Sequence, residues 1–148
     1  MALTEQQITG DATGGVTVAE NIYNEIGQLV DKKLHKTTSN NYLQSVDYTY
    51  NIRGWLTSIN NPDNLANDGT GDTYADLFAE RLLYDDNSTV SNLTLQKQYN
   101  GNIAGAIIAR RTDGTGTTTK SAYGFTYDGL NRLNGAPFML KIPGAAIL

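Results

Sequence analysis

The sequence predicts an all-β chain: an antiparallel meander of repeated β-hairpins forming a curved sheet ribbon. Three observations lead there. A seven-residue phrase recurs as Tyr23-Asn24-Glu25-Ile26-Gly27-Gln28-Leu29, Tyr50-Asn51-Ile52-Arg53-Gly54-Trp55-Leu56 and Tyr127-Asp128-Gly129-Leu130-Asn131-Arg132-Leu133, and self-similarity of this kind sets the architecture before any local reading. The composition, with 15 Gly, 9 Tyr and an apolar share of 39%, tilts toward turns and aromatic-bearing strands. Around the second copy, Val46, Tyr48 and Tyr50 alternate with polar residues on the way in, and Trp55, Thr57 and Ile59 alternate on the way out, which is the period of a strand.

The phrase has a physical reading as a hairpin. Asn or Asp opens a type I turn because its side chain bonds the backbone ahead of it. A residue with φ > 0 then completes a three-residue loop with a bulge, and Gly or Asn tolerates that conformation. Gly27, Gly54 and Asn131 occupy that place. Counting outward, Tyr23 faces Leu29, Tyr50 faces Leu56 and Tyr127 faces Leu133, aromatic-aliphatic pairs worth roughly 0.2–1 kcal/mol each.

Taken in order, residues 1–15 read as a polar lead-in broken at Gly10-Asp11 and Gly14-Gly15. The repeat sheet is expected over 16–133. Val16–Tyr23 and Leu29–Lys36 flank the first turn, and the second hairpin ends at Asn60-Asn61-Pro62, since proline donates nothing to a ladder. Residues 60–76 form a polar insert that reads as a surface loop. Residues 77–84 fit a helix or a strand by spacing, and their length favours a strand. Residues 93–99 lead into Asn100-Gly101, a strong two-residue hairpin signal, with 103–111 returning. Tyr99-Asn100-Gly101-Asn102-Ile103 is thus a variant of the phrase, and residues 113–119 are a Gly/Thr loop. From Tyr23 to Tyr50 is 27 residues and from Tyr99 to Tyr127 is 28, while Tyr50 to Tyr99 spans 49; an extra strand is expected in that gap, for about nine strands in all. Residues 134–148 stand apart as an apolar tail, possibly truncated, with Pro137 falling near the partner of Tyr123, where proline belongs only at an edge or bulge.

Composition also sets bounds on function. A formal charge of −4 without a basic cluster argues against nucleic acid. The absence of cysteine removes disulfides and thiolate chemistry, and no apolar run is long enough for membrane insertion. His35 is the single histidine, so no multi-histidine metal site is expected. No Gly-x-Ser-x-Gly nucleophile motif occurs. Asp63, Asn64, Asn67, Asp68, Asp72 and Asp76 have calcium-binding chemistry without the spacing of an EF-hand loop. No catalytic residue, cofactor or metal is therefore expected. Trp55, on the flank of its turn, is the candidate exposed aromatic and the candidate for ligand contact.

The repeated Tyr-(Asn/Asp)-x-x-Gly-x-Leu phrase, together with Tyr48-Thr49-Tyr50 and Tyr123-Gly124-Phe125-Thr126-Tyr127 leading into its copies, resembles the YD repeat of the Rhs family. The resemblance covers most of 16–133 and implies part of a β-shell built from a ribbon of such repeats, as in Rhs, toxin-complex and teneurin proteins. It implies a non-enzymatic scaffold that encloses or presents a toxin or surface module; the alternative is a cell-surface repeat module that binds carbohydrate or protein. Expected partners are neighbouring repeats of the parent chain, toxin cargo, or a surface glycan or protein, with self-association through sheet edges. The location so implied is exported, extracellular or at the cell surface, with the signal outside this chain. The Asp-Pro-x-x-Gly self-cleavage pattern of Rhs proteins has no match, since no proline here follows an aspartate.

Overall fold

The structure, a computed structural model, describes residues 2–8, 16–37, 41–65, 74–85, 95–111 and 118–141, with 2–8 and 140–141 as backbone only. The described residues form eleven strands and no helix: β1 (Ala2–Ile8), β2 (Val16–Tyr23), β3 (Leu29–Lys36), β4 (Tyr42–Tyr50), β5 (Leu56–Ile59), β6 (Phe78–Leu83), β7 (Gly105–Arg111), β8 (Thr118–Gly124), β9 (Thr126–Tyr127), β10 (Leu133–Gly135) and β11 (Phe138–Lys141). Nine of them make one antiparallel sheet in the order β1-β2-β3-β4-β5-β6-β7-β8-β11, and β9 pairs with β10 beside it. The all-β meander is therefore as the sequence predicts. The sheet is open, with β1 and β11 as its edges among the described residues.

Three expectations change. The polar lead-in contains a strand: β1 pairs with β2 from Ala2↔Tyr23 to Ile8↔Val16. A strand so polar that hydrophobic patterning hides it is still specified by the ladder bonds its neighbour offers. The hairpin expected at Asn100-Gly101 is not a ladder. Instead β6 pairs directly with β7, from Phe78↔Arg110 to Leu83↔Gly105, and residues 95–104 belong to the connection between them. Lastly, the tail is not separate, because β11 pairs with β8 through Phe138↔Tyr123 and Met139↔Ala122. Pro137 accepts a bond from Gly124 N at 3.0 Å and precedes an edge strand, where its missing N–H costs nothing.

The core lies on one face of β6, β7 and β8, where strand alternation brings Ala79 and Leu83 together with Ala109, Ile107 and Ala122. Leu83, Ile107 and Ala122 form one buried cluster with Leu95 packed against it. Leu65 joins Ala79 and Ala109 in a second. The insert expected on the surface is thus partly an internal cover: Leu65 is 4% exposed and Asp76 is buried with it. Asp63 fixes the same segment, accepting from Arg81 and Lys120 at 2.8 Å each. Small residues on the sheet face leave room for a loop to sit close.

The hydrogen-bonded Lys120 ammonium and the Arg81 guanidinium together hold the Asp63 carboxyl below the usual carboxylate range, against the opposing effect of partial burial. A carboxyl with a lowered folded pKa adds stability that is complete above the unfolded value of about 3.9 and is lost as pH falls through the folded value. Asp63 is more than half exposed, so solvent screening keeps the contribution at pH 7 within about 1 kcal/mol. Asp63→Asn should lower the urea midpoint slightly at pH 7, and the difference from wild type should vanish at pH 2; a difference independent of pH would refute the ion-pair role.

Asn60 also ties the insert to the sheet. It is buried, holds φ at 52°, accepts from Asp47 N and donates to the Phe78 carbonyl at 2.9 Å, so it links β4 to β6 where β5 ends. The breakers at 10–15, the loop at 113–117 and the calcium-like Asn67, Asp68 and Asp72 lie outside the described residues. Among the described residues, no helix is long and apolar enough to cross a membrane.

Candidate functional site: the repeated turns

The three full phrases fold alike. Asn24, Asn51 and Asp128 each open a turn closed by a backbone bond from Gly27, Gly54 or Asn131 N at 2.9–3.0 Å. Each opening side chain also accepts two backbone N–H groups: Asn24 Oδ1 from Ile26 and Gln28, Asn51 Oδ1 from Arg53 and Trp55, Asp128 Oδ1 from Leu130 and Arg132. Backbone donation from Arg132, the Arg132 side chain and Leu130 N hold the Asp128 carboxyl below its ordinary range. Gly27, Gly54 and Asn131 have φ of 82°, 79° and 60°, and the pairs Tyr23↔Leu29, Tyr50↔Leu56 and Tyr127↔Leu133 are in register. Gly54→Val should cost about 1–2 kcal/mol by forcing a β-branched residue into the left-handed region; an unchanged melting temperature would contradict this.

The tyrosines do more than pack against their own hairpin. Tyr50 Oη donates to the Leu29 carbonyl at 2.9 Å, and Tyr127 Oη donates to the Ile103 carbonyl at 2.8 Å. Tyr84 Oη makes the matching bond to the Leu56 carbonyl at 2.9 Å. Each tyrosine thus bonds the residue that leaves the preceding turn. Tyr84-Asp85 is therefore a further copy of the phrase start, and it fills the long gap between Tyr50 and Tyr99. The Tyr-Asp pair was the available signal; the 85–104 connection that follows hid it by moving the returning strand far down the chain. Tyr127→Phe should cost about 1 kcal/mol, the net worth of a buried hydrogen bond, read as a lower urea midpoint at constant m; no change would show the bond to be incidental.

Tyr99, Asn100 and Gly101 form a turn inside that connection rather than a hairpin. Asn100 Oδ1 accepts from Asn102 N, and Gly101 has φ 96°. Both Asn100 and Asn102 donate to Asn131 Oδ1, at 2.9 and 3.3 Å, linking this turn to the last one.

Trp55 is not the exposed aromatic expected. It is half-buried, with its ring 5.1 Å from that of Tyr84 and the Arg53 guanidinium 5.1 Å above it. A Cβ on Gly101 would come within 3.3 Å of the indole, so glycine there serves the turn and makes room for the tryptophan. Arg53 meanwhile pairs with Asp85 at 3.1 Å. His35 is exposed, with φ 51°, near the end of β3 and far in sequence from these groups.

Next to the turns lies a hollow of about 280 Å³ lined by Thr49, Thr57, Ser58, Arg81, Tyr84 and Asp85, among others. Thr49 Oγ1 bonds Thr57 Oγ1 and Ser58 Oγ at 2.9 and 2.7 Å. Its charges are already matched, Arg81 with Asp63 and Asp85 with Arg53. The hollow offers hydroxyl hydrogen bonding without a nucleophile-base pair. Among the described residues, no group of three or more His, Asp or Glu side chains could hold a metal ion.

Comparison with known protein families, curated proteins and solved structures finds no match.

Proposed function

We propose that the chain is a non-enzymatic scaffold, a stretch of YD-repeat ribbon from a larger exported protein of the Rhs kind, building part of a shell that encloses or presents a toxin or surface module. One observation carries this reading: successive Tyr-(Asn/Asp) turns repeat both their internal bonding and their link to the turn before. A device that joins each unit to its predecessor is how a quasi-one-dimensional array grows. Polar groups and charges at the turns are spent on this bonding, which suits structure better than turnover. The test is the parent reading frame on either side. Further Tyr-(Asn/Asp)-x-x-Gly-x-Leu phrases and a toxin-like domain are the expected result; flanks without such phrases would defeat the proposal, as would hydrolase activity on a broad substrate panel.

The second reading, a carbohydrate-binding repeat module, is favoured by the hydroxyl-lined hollow beside Tyr84. A glycan array with wild type and Arg81→Ala decides it. Binding that the substitution removes would support it, and no binding by either protein would reject it.

A further inference from the structure

Alternate connections of an antiparallel meander share one rim of the sheet, so the turns at 23–29, 50–56, 84–104 and 127–133 stand side by side. Their contacts follow that order. Gly54 lies against Gln28, Arg53 against Asp85, Gly101 against Trp55, and Asn100 against Asn131. At the tips stand Ile26, Ile52, Tyr99 and Leu130, exposed by 79%, 102%, 64% and 74%. Turn tips favour Gly, Asn, Asp and Ser, and side chains so exposed add nothing to the core. An apolar residue on every tip of one rim therefore calls for a partner.

We propose that this rim is a self-association surface, on which the row Ile26, Ile52, Tyr99 and Leu130 docks against the same row of a second copy. The period argues for it. Two strands separate neighbouring tips, a spacing of about 10 Å, and a partner that meets all four tips must repeat at that interval, as a second ribbon does by construction. A two-fold axis through the middle of the row sets Ile26 against Leu130 of the second copy and Ile52 against Tyr99. Asn24, Asn51 and Asp128 already occupy the turn N–H groups of Ile26, Arg53 and Leu130, so covering the tips orphans none of those donors. Arg53 and Arg132 are paired within the chain, which limits repulsion between two like rims.

The area sets the strength. A strip about 30 Å long and one side chain wide covers roughly 300 Å² per copy, well below the ~800 Å² per partner of a standard stable interface. Separate copies should therefore associate weakly, with a dissociation constant on the order of 0.1–1 mM. This contact does not depend on what the ribbon encloses.

Sedimentation equilibrium up to about 1 mM protein tests it. Wild type should dimerise with concentration, Ile52→Asp should weaken the dimer about tenfold, and the triple variant Ile26→Asp, Ile52→Asp, Leu130→Asp should abolish it, with melting temperatures unchanged. If the triple variant does not fold, Ile52→Asp alone carries the test, its side chain being fully exposed. Phe138→Lys, on edge strand β11, should leave the dimer intact. The proposal falls if wild type stays monomeric throughout, if the rim variants dimerise like wild type, if only Phe138→Lys disrupts the dimer, or if monomeric wild type binds phosphatidylcholine vesicles through the rim.

Discussion

Leu83→Ala should lower the unfolding free energy by about 3 kcal/mol, the middle of the range for emptying a buried leucine site. Leu83 is 1% exposed and joins Ile107 and Ala122 under the cover of Leu95. Two of its surroundings are backbone-rich and cannot close the gap: β7 and β8 are fixed at ladder spacing from each other, and Ala122 has no side chain to extend. Only Leu95, on an irregular segment, can sink inward, and it would give up its own contacts with Gly105 and Gly124 to do so. For a chain of this size the loss corresponds to a melting temperature lower by roughly 6–12 °C. Urea unfolding with an unchanged m-value is the measurement; a loss under about 1 kcal/mol would show that the cluster is not the core.

The placement of that core was the part least visible in the chain. Where hairpin chemistry is local, the sequence was readable: Asn51 and Gly54 dictate a turn whatever lies around them, and the Tyr50-to-Leu56 register follows by counting. Where a segment is held by distant residues, local patterning had nothing to report. Leu65 is one apolar residue in a polar stretch, and only the alanines at 79 and 109 on two remote strands make it a cover. Ala2–Ile8 shows the same limit, since its strand character comes from the ladder that β2 presents. Asn100-Gly101 failed for the opposite reason. Its strong local signal does set a turn, but Leu83↔Gly105 pairing takes the strand that a hairpin would have needed. The functional turns divide likewise. Three copies were legible as strings, whereas the bond from Tyr84 to Leu56 needed the fold to bring together residues 28 apart, and it revealed the fourth copy.

Gly105→Ala is expected to be nearly as damaging, for want of room rather than for want of contacts. Gly105 begins β7 and pairs with Leu83 on one side and Gly124 on the other. A Cβ placed there would stand 2.7 Å from the Tyr123 carbonyl oxygen and 2.8 Å from Leu95 Cδ2. Rotation of Leu95 relieves the second clash. The first involves the backbone of β8, and relief requires β7 and β8 to shift against each other at the end of their ladder, above the most buried cluster. Overpacking of this kind costs typically 1–3 kcal/mol, and a backbone obstacle places the expected loss at about 2 kcal/mol. Gly129 supplies the contrast: nothing lies within 4 Å of its Cβ position, so Gly129→Ala should change stability by no more than about 0.5 kcal/mol. A double-mutant cycle separates the two obstacles at Gly105. If the carbonyl dominates, adding Leu95→Ala to Gly105→Ala lowers stability further; if Leu95 alone were responsible, the added truncation would recover most of the loss, and the close approach of β7 to β8 would carry no energetic weight.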